Sequence, residues 1–433
     1  MSVAGRGDAT VAEGACLAEV LLWGRRVGAV AETEDGQVVF EYDPEFRRSG
    51  LEVSPRRLPL RTEGPQAFPA LARLEAFEGL PGVLADSLPD RFGNAIIEKY
   101  FAERGRAGER LGPVQKLLYV GSRAMGALEY QPAERIPRKA REDEALEVAG
   151  LVEAARRVVE GHTEVAIPEI MRLGSSAGGA RAKAIILWNP QSENVRSAFA
   201  PQQAGDEEWL IKFDGVGEIG NPNPEPQAFN RIEYAYSQLA VEAGIEMAET
   251  RLLEERNFAH FMTRRFDRAD DGGRLHLHTL GGIEHIDYNV PGLYSYEQYF
   301  RLVLALGLGY PALEQAYRRA CFNLLAVNQD DHVKNFSFLM DDRGQWRLSP
   351  AYDLTFVRGR NFTRDHQMSF AGKRNDFSPR DLVEVGARFD LNRDGRDIVE
   401  EVAGALQQWP DFARAAGVPD GKITAIGEQF RIA

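Results

Sequence analysis

The chain has 433 residues, 44% of them hydrophobic and 27% charged, which is enough for a large core and for two or more domains. Its 65 acidic and 52 basic residues give a formal net charge of −13, which argues against an extended nucleic-acid surface and leaves room only for a local basic patch. Two distant cysteines, Cys16 and Cys321, support neither a disulfide framework nor a zinc site and fit a reducing cytoplasm, and no apolar run reaches the length of a membrane span.

Residues 1–15, MSVAGRGDATVAEGA, lack a hydrophobic signal core and are expected to form a flexible tail. Leu17 to Trp23, Arg26 to Glu32 and Gln37 to Tyr42 alternate around Gly24-Arg25 and Asp35-Gly36, the pattern of a three-stranded meander. Five prolines make residues 43–82 mostly connecting structure, followed by LADSLPDRFG and a helix carrying Ile96, Ile97, Tyr100 and Phe101. The charged, proline-containing segment Glu129 to Asp143 reads as a linker, and a helix from Glu144 to about Glu160 follows it.

A small-residue loop, Gly174 to Ala182, then runs into a strand, Lys183 to Trp188. Its glycines permit close approach to a phosphate. The loop is neither a Walker A sequence nor the Gly-x-Gly-x-x-Gly of kinases, and a plain strand-linking turn capped by Ser175 and Ser176 reads equally well from this segment alone. After an exposed loop from Asn189 to Glu208, the strand Trp209 to Phe213 carries a single charge, Lys212, which needs either an exposed face or a charged partner. The next helix places Phe229, Ile232, Tyr236, Leu239 and Ala243 on one face, with Glu233 beside it and placed to reach Lys212. A strand lysine fixed by a helix glutamate is a kinase component, although Glu233 taken alone reads more readily as part of a solvated helix face.

Arg251 to Glu255 and Phe261 to Phe266 read as paired strands. His276, His278 and His285 have no accompanying carboxylate or cysteine cluster of ligand spacing, so a metal reading is rejected. The spacing of Leu313, Tyr317, Cys321 and Leu324 predicts a buried helix that delivers Asp330, exposed, at its end. Phe336 to Met340 and Gln345 to Leu348 then form a hairpin, with Asn335 at its entry and Asp353 beyond its exit. Taken singly, DDH reads as turn chemistry and Asn335 as a cap, but an Asp, an Asn five residues on and a second Asp beyond a hairpin together form the polar set of protein kinases, the first as proton acceptor and the other two as Mg²⁺ ligands. The rest of the chain is largely helical, with DLVEVGARF and DIVEEVAGALQQW as amphipathic segments.

With GSSAGGARAK, WLIKFDG, RIEYAYSQLA, RRFDR, NQDDHVKNFSF and SPAYDL in this order, the chain resembles the HipA family of serine/threonine kinases, toxins of bacterial type II toxin-antitoxin modules. The meander, LADSLPDRFG and VGSRAMGAL resemble that family's N-terminal subdomain. The resemblance implies an α+β, two-lobed protein-kinase-like fold. Its parts would be a tail at 1–15, an N-terminal subdomain at 16–135, a kinase N-lobe at 136–268 and a helical C-lobe at 269–433.

Carried over residue by residue, the resemblance makes Asp330 the catalytic base and Lys212 the phosphate-binding lysine. Asn335 and Asp353 become the Mg²⁺ ligands, with His332 and Lys334 lining the catalytic loop and Tyr352 beside Asp353. Arg264, Arg265 and Phe266 match the adenine-binding hinge. Ala177, Gly178, Gly179, Ala180, Arg181 and Lys183 match the phosphate loop, which departs from the best-known family pattern in having GGARAK; Ser175 or Ser176 would be the autophosphorylated serine. The implied cofactors are ATP and Mg²⁺. The implied partners are a HipB-like helix-turn-helix antitoxin and a protein substrate such as glutamyl-tRNA synthetase, with operator DNA met only through the antitoxin, where Lys373-Arg374 could touch a phosphate. A small-molecule kinase of the same fold and a nucleotide-binding scaffold for an antitoxin-operator complex are the competing expectations.

Overall fold

The computed structural model describes residues 16–106, 108, 111–134, 146, 148–160, 181–198, 200–218, 221–269 and 272–432. The expected tail, most of the expected linker, and Ser175, Ser176, Ala177, Gly178, Gly179 and Ala180 lie outside the described residues.

Alternation does produce the meander. Cys16–Leu22 (β1), Arg25–Glu32 (β2) and Val38–Tyr42 (β3) bury Ala18, Val20, Leu22, Val30, Phe40 and Tyr42 on one face. Leu22 pairs with Arg25, so the turn is Trp23-Gly24, both at positive φ as a tight hairpin requires, one residue earlier than the sequence suggests. Two short strands extend this sheet to the order β4-β3-β2-β1-β5. They are Gln66–Ala67 (β4) and Leu128–Gln131 (β5), which lie in stretches expected to be connecting structure and linker. Neither is long enough to display a period of its own.

The second five-stranded sheet has the order β11-β12-β8-β6-β7. Its strands are Lys183–Trp188 (β6), Val195–Ser197 (β7), Glu207–Lys212 (β8), Thr250–Glu255 (β11) and Phe258–Arg264 (β12). β7 corrects the expectation of a loop through Asn189–Glu208: all three of its residues are buried, and Arg196 is ion-paired with Asp206. A small ribbon, Gly217–Glu218 (β9) with Asn221–Pro222 (β10), follows β8. Beneath β6 and β8, the helix Val148–Val159 packs with Phe92 and Ile96 of the helix Arg91–Phe101. The N-terminal domain thus shares a core with the second sheet.

The helices Phe229–Glu242, Tyr296–Ala305, Gly309–Leu325 and those after Ser378 build the largest core. A third sheet joins His276–Thr279 (β13), Ser337–Met340 (β14) and Trp346–Leu348 (β15). The three histidines lie where this sheet and the helix after it meet the N-terminal domain. His276 Nε2 is 2.9 Å from the Val53 carbonyl, His278 Nδ1 is 2.6 Å from Asp86, and His285 Nε2 accepts from the Gly82 backbone at 2.9 Å. Gly82 and Gly282 carry this contact, since a Cβ on Gly82 would stand 2.0 Å from the Gly282 carbonyl oxygen. Among the described residues no helix is long and apolar enough to cross a membrane.

Candidate active site

Lys212 closes β8, where its cross-strand neighbours are Lys183 on β6 and Phe261 on β12. Its Nζ lies 2.5 Å from Glu233 Oε1, and a second ion pair joins it to Asp353. Glu233 is 2% exposed, so its carboxylate has given up water and depends on that ammonium. Asn230, one turn earlier on the same helix, donates to the carbonyls of Lys212 (3.0 Å) and Ala259 (3.0 Å), which fixes the helix against both strands. Asn230 belongs to no motif in the sequence; its position, one turn before Glu233, is the signal that points to it.

The helix that was expected to deliver Asp330 ends at Leu325, earlier than the sequence suggests. Val327 takes positive φ, a conformation that costs a β-branched residue energy, and turns the chain away from the helix. Asp330 lies in the turn beyond and is half-buried, which corrects the expectation of an exposed residue at an element end. Its neighbour Asp331 is fully buried and accepts from the Tyr296 hydroxyl (2.7 Å), His366 Nδ1 (2.9 Å) and the Gln367 backbone (2.7 Å). In DDH, therefore, the second aspartate anchors the loop, and the first takes no part in those contacts.

Asn335 Nδ2 donates to the Asp330 carbonyl at 2.9 Å, tying the two ends of the loop together. Tyr352 donates to the Lys334 carbonyl at 2.6 Å, lies 2.6 Å from Ser337 Oγ and stacks on Phe266 at 5.3 Å. These contacts hold the segment that carries Asp353, itself at positive φ. Lys183, Lys212, Glu233, Arg264, Arg265, Phe266, Lys334, Asn335, Tyr352 and Asp353 all line one cleft. Arg265 reaches it with its side chain already committed to Asp267, Glu208 and the Ala124 carbonyl. Arg181 lies over the Phe229 ring at 4.2 Å, and His332 packs against Tyr288 at 5.3 Å. The N-terminal domain adds Asp86 and Met125 to the wall, which sequence reasoning missed.

Electrostatics separate the carboxylates. Burial would raise Asp353, but Lys212 and, more weakly, Lys183 and His332 hold it well below the ordinary carboxylate range. Burial pushes Asp330 up, with Asp353 and Asp331 adding to the shift and His332 and Lys212 opposing it. Burial pulls Lys212 down, yet Asp353 and Glu233 together outweigh it and keep the ammonium charged. One carboxylate is thus poised to take a proton while another stays ionised, the division of labour expected of an acid-base site.

Among the described residues no three His, Cys, Asp or Glu side chains form a group able to hold a metal alone. The donor set at Asn335 and Asp353 still fits Mg²⁺. The Asn335 amide nitrogen is spent on Asp330, which leaves its oxygen as the ligand atom, Asp353 supplies an ionised carboxylate, and a hard cation takes its other oxygens from water and phosphates.

Residues 18–131 match the family model described as the HipA N-terminal domain, and residues 175–409 match that of the HipA-like C-terminal domain. A Haemophilus influenzae protein named "Putative kinase" is 30% identical over 164 residues, 34% of this chain and 48% of that protein, so the match spans about half of that relative's length. A Sinorhizobium fredii protein named "Putative kinase Y4dM" is 23% identical over 401 residues, 86% of each chain. The Shewanella oneidensis MR-1 HipA, solved with HipB and its operator DNA, shares the fold with a TM-score of 0.64 at 17% identity, over 95% of this chain and 94% of that one. The second model spans every cleft residue from Lys183 to Asp353 and the first adds Asp86 and Met125; with the two models covering most of its length, the chain belongs to the HipA family.

Proposed function

We propose that this chain is a protein serine/threonine kinase dependent on ATP and Mg²⁺, a HipA-like toxin that modifies a protein serine to arrest growth. The observation that carries the reading is Lys212, bridged at once to Glu233 and to Asp353, beside an Asp330 raised toward proton acceptance. Lys212 would bear the charge of the phosphates, and Glu233 holds it in place. Asn335 and Asp353 would hold the cation. Asp330 takes the proton of the attacking serine hydroxyl as its oxygen bonds to phosphorus. Bound ATP with Mg²⁺ supplies the phosphoryl group, the bond to its β,γ-bridging oxygen breaking to leave ADP.

Family resemblance supports an aminoacyl-tRNA synthetase, such as glutamyl-tRNA synthetase, as the substrate and a HipB-like antitoxin as the partner that restrains it. Autophosphorylation at Ser175 or Ser176 would silence the enzyme, because a dianion on that loop is incompatible with a slot for nucleotide phosphates. The test is incubation of purified protein with labelled ATP, Mg²⁺ and a host lysate. Label in a discrete protein band is expected; label confined to low-mass products would favour a small-molecule kinase, and none at all would refute the reading.

A further inference from the structure

The turn between the helices Gly82–Ala85 and Arg91–Phe101 puts Asp86 in the wall of the cleft and Asp90 against Lys183, which lines it. Asp86 accepts from the Thr279 backbone (2.7 Å) and hydroxyl (2.6 Å) and lines the cleft. Asp90 divides its carboxylate. One oxygen accepts from the Gly93 backbone at 2.6 Å and caps the helix, and the other lies 2.9 Å from Lys183 Nζ.

Both partners are deeply buried, Lys183 at 4% exposure and Asp90 at 8%. An unpaired ammonium at that depth would cost several kcal/mol, so without a carboxylate partner the side chain would leave that position. Among the described residues Asp90 is the one carboxylate within ion-pair distance of Lys183. Lys183 opens β6 opposite Lys212 and lines the same cleft, so the site's second lysine is held by a different domain from its first. Lys334, stacked over Tyr288 at 4.9 Å, faces the same group: burial pulls it below the ordinary lysine range, Asp86, Asp90 and Asp287 counter that in part, and Lys183 adds to it.

We propose that Asp90 is a positioning residue of the nucleotide site: its carboxylate, supplied by the N-terminal domain, holds Lys183 aimed where an anionic phosphate would meet it. The inference rests on the nucleotide-binding reading given above and adds that the N-terminal domain is part of the phosphate site.

The test measures affinity of the full chain for trinitrophenyl-ATP with Mg²⁺, alongside thermal unfolding. Asp90→Asn and Asp90→Ser both keep a side chain able to cap the helix while removing the charge. Each is expected to weaken binding about tenfold, with Asp90→Glu recovering most of it. In a Lys183→Met background the same Asp90 substitutions should cost nothing further, because the carboxylate acts through the lysine. Ser87→Ala, which removes the 2.7 Å contact with Tyr130 in the same turn, should lower the melting temperature without changing affinity. Folded Asp90→Asn or Asp90→Ser protein that binds within twofold of wild type would overturn the proposal, as would losses that simply add in the double variant. Wild-type binding without phosphoryl transfer would refute the kinase reading alone and leave this inference standing on the affinities.

Discussion

Lys212 and Asp353, 141 residues apart, meet in an ion pair that ties the last residue of β8 to the segment beyond the β14-β15 hairpin. The same ammonium holds Glu233, so one side chain links a strand, a helix and the expected metal-binding carboxylate.

Removing one carboxylate from this triad should cost less than breaking an isolated buried pair, because Lys212 keeps the other. Glu233→Gln is expected to lower unfolding free energy by roughly 1–3 kcal/mol, below the ~3–5 kcal/mol typical of a stranded buried charge. Denaturant titration would check this; an unchanged midpoint would mean that the pair contributes nothing to stability.

Asp330 and Asp331 should separate in opposite senses. Asp331→Ala strands the Tyr296 hydroxyl, the Gln367 amide and His366 in the core and is expected to cost about 3 kcal/mol or more. Asp330→Ala removes a carboxylate whose ionised form is already disfavoured and should change stability by less than about 1 kcal/mol. Equal losses would show that both aspartates are structural.

Acid should destabilise the fold before most carboxylates titrate. Burial lowers His260, His276 and His285 to about 4 each, against about 6.5 in an unfolded chain. The unfolded state therefore binds protons first, so the stability these neutral rings provide is full above pH ~6.5 and is lost as pH falls toward ~4. Melting temperature measured across that interval should fall steadily, and a flat profile would contradict the burial of these rings as neutral imidazoles.

Phosphoryl transfer should lose rate on the acid side at a higher pH than a free aspartate, near ~4, would dictate, because Asp330 is raised and must be ionised to accept a proton. His332 opposes that shift, so His332→Gln should move the acid limb of the pH-rate profile further up. A limb that stays in place would mean that another group governs it.

Much of this site was legible because its spacing is local. Asp330, Asn335 and the hairpin before Asp353 lie within one short stretch, and Lys212 stood out as the one charge in an apolar strand. The Glu233 partnership followed from helical period. The strand Lys183 to Trp188 also has the expected bounds. What escaped was set by tertiary contact. Strands β4 and β7 are too short to show a period, and β5 hides in a charged stretch. The roles of His276, His278 and His285 depend on a domain more than a hundred residues away in sequence. Asp86 and Asp90 looked like part of an N-terminal motif, and only the fold brings them to Lys183 and Thr279.

The most direct test of the account compares wild type with Asp330→Asn for incorporation of labelled phosphate from ATP with Mg²⁺, with trinitrophenyl-ATP binding measured on both. Wild type should become labelled, and the variant should bind nucleotide normally while losing about 10²–10⁴ in transfer rate. Equal labelling of the two proteins would contradict the assignment of Asp330 as the proton acceptor.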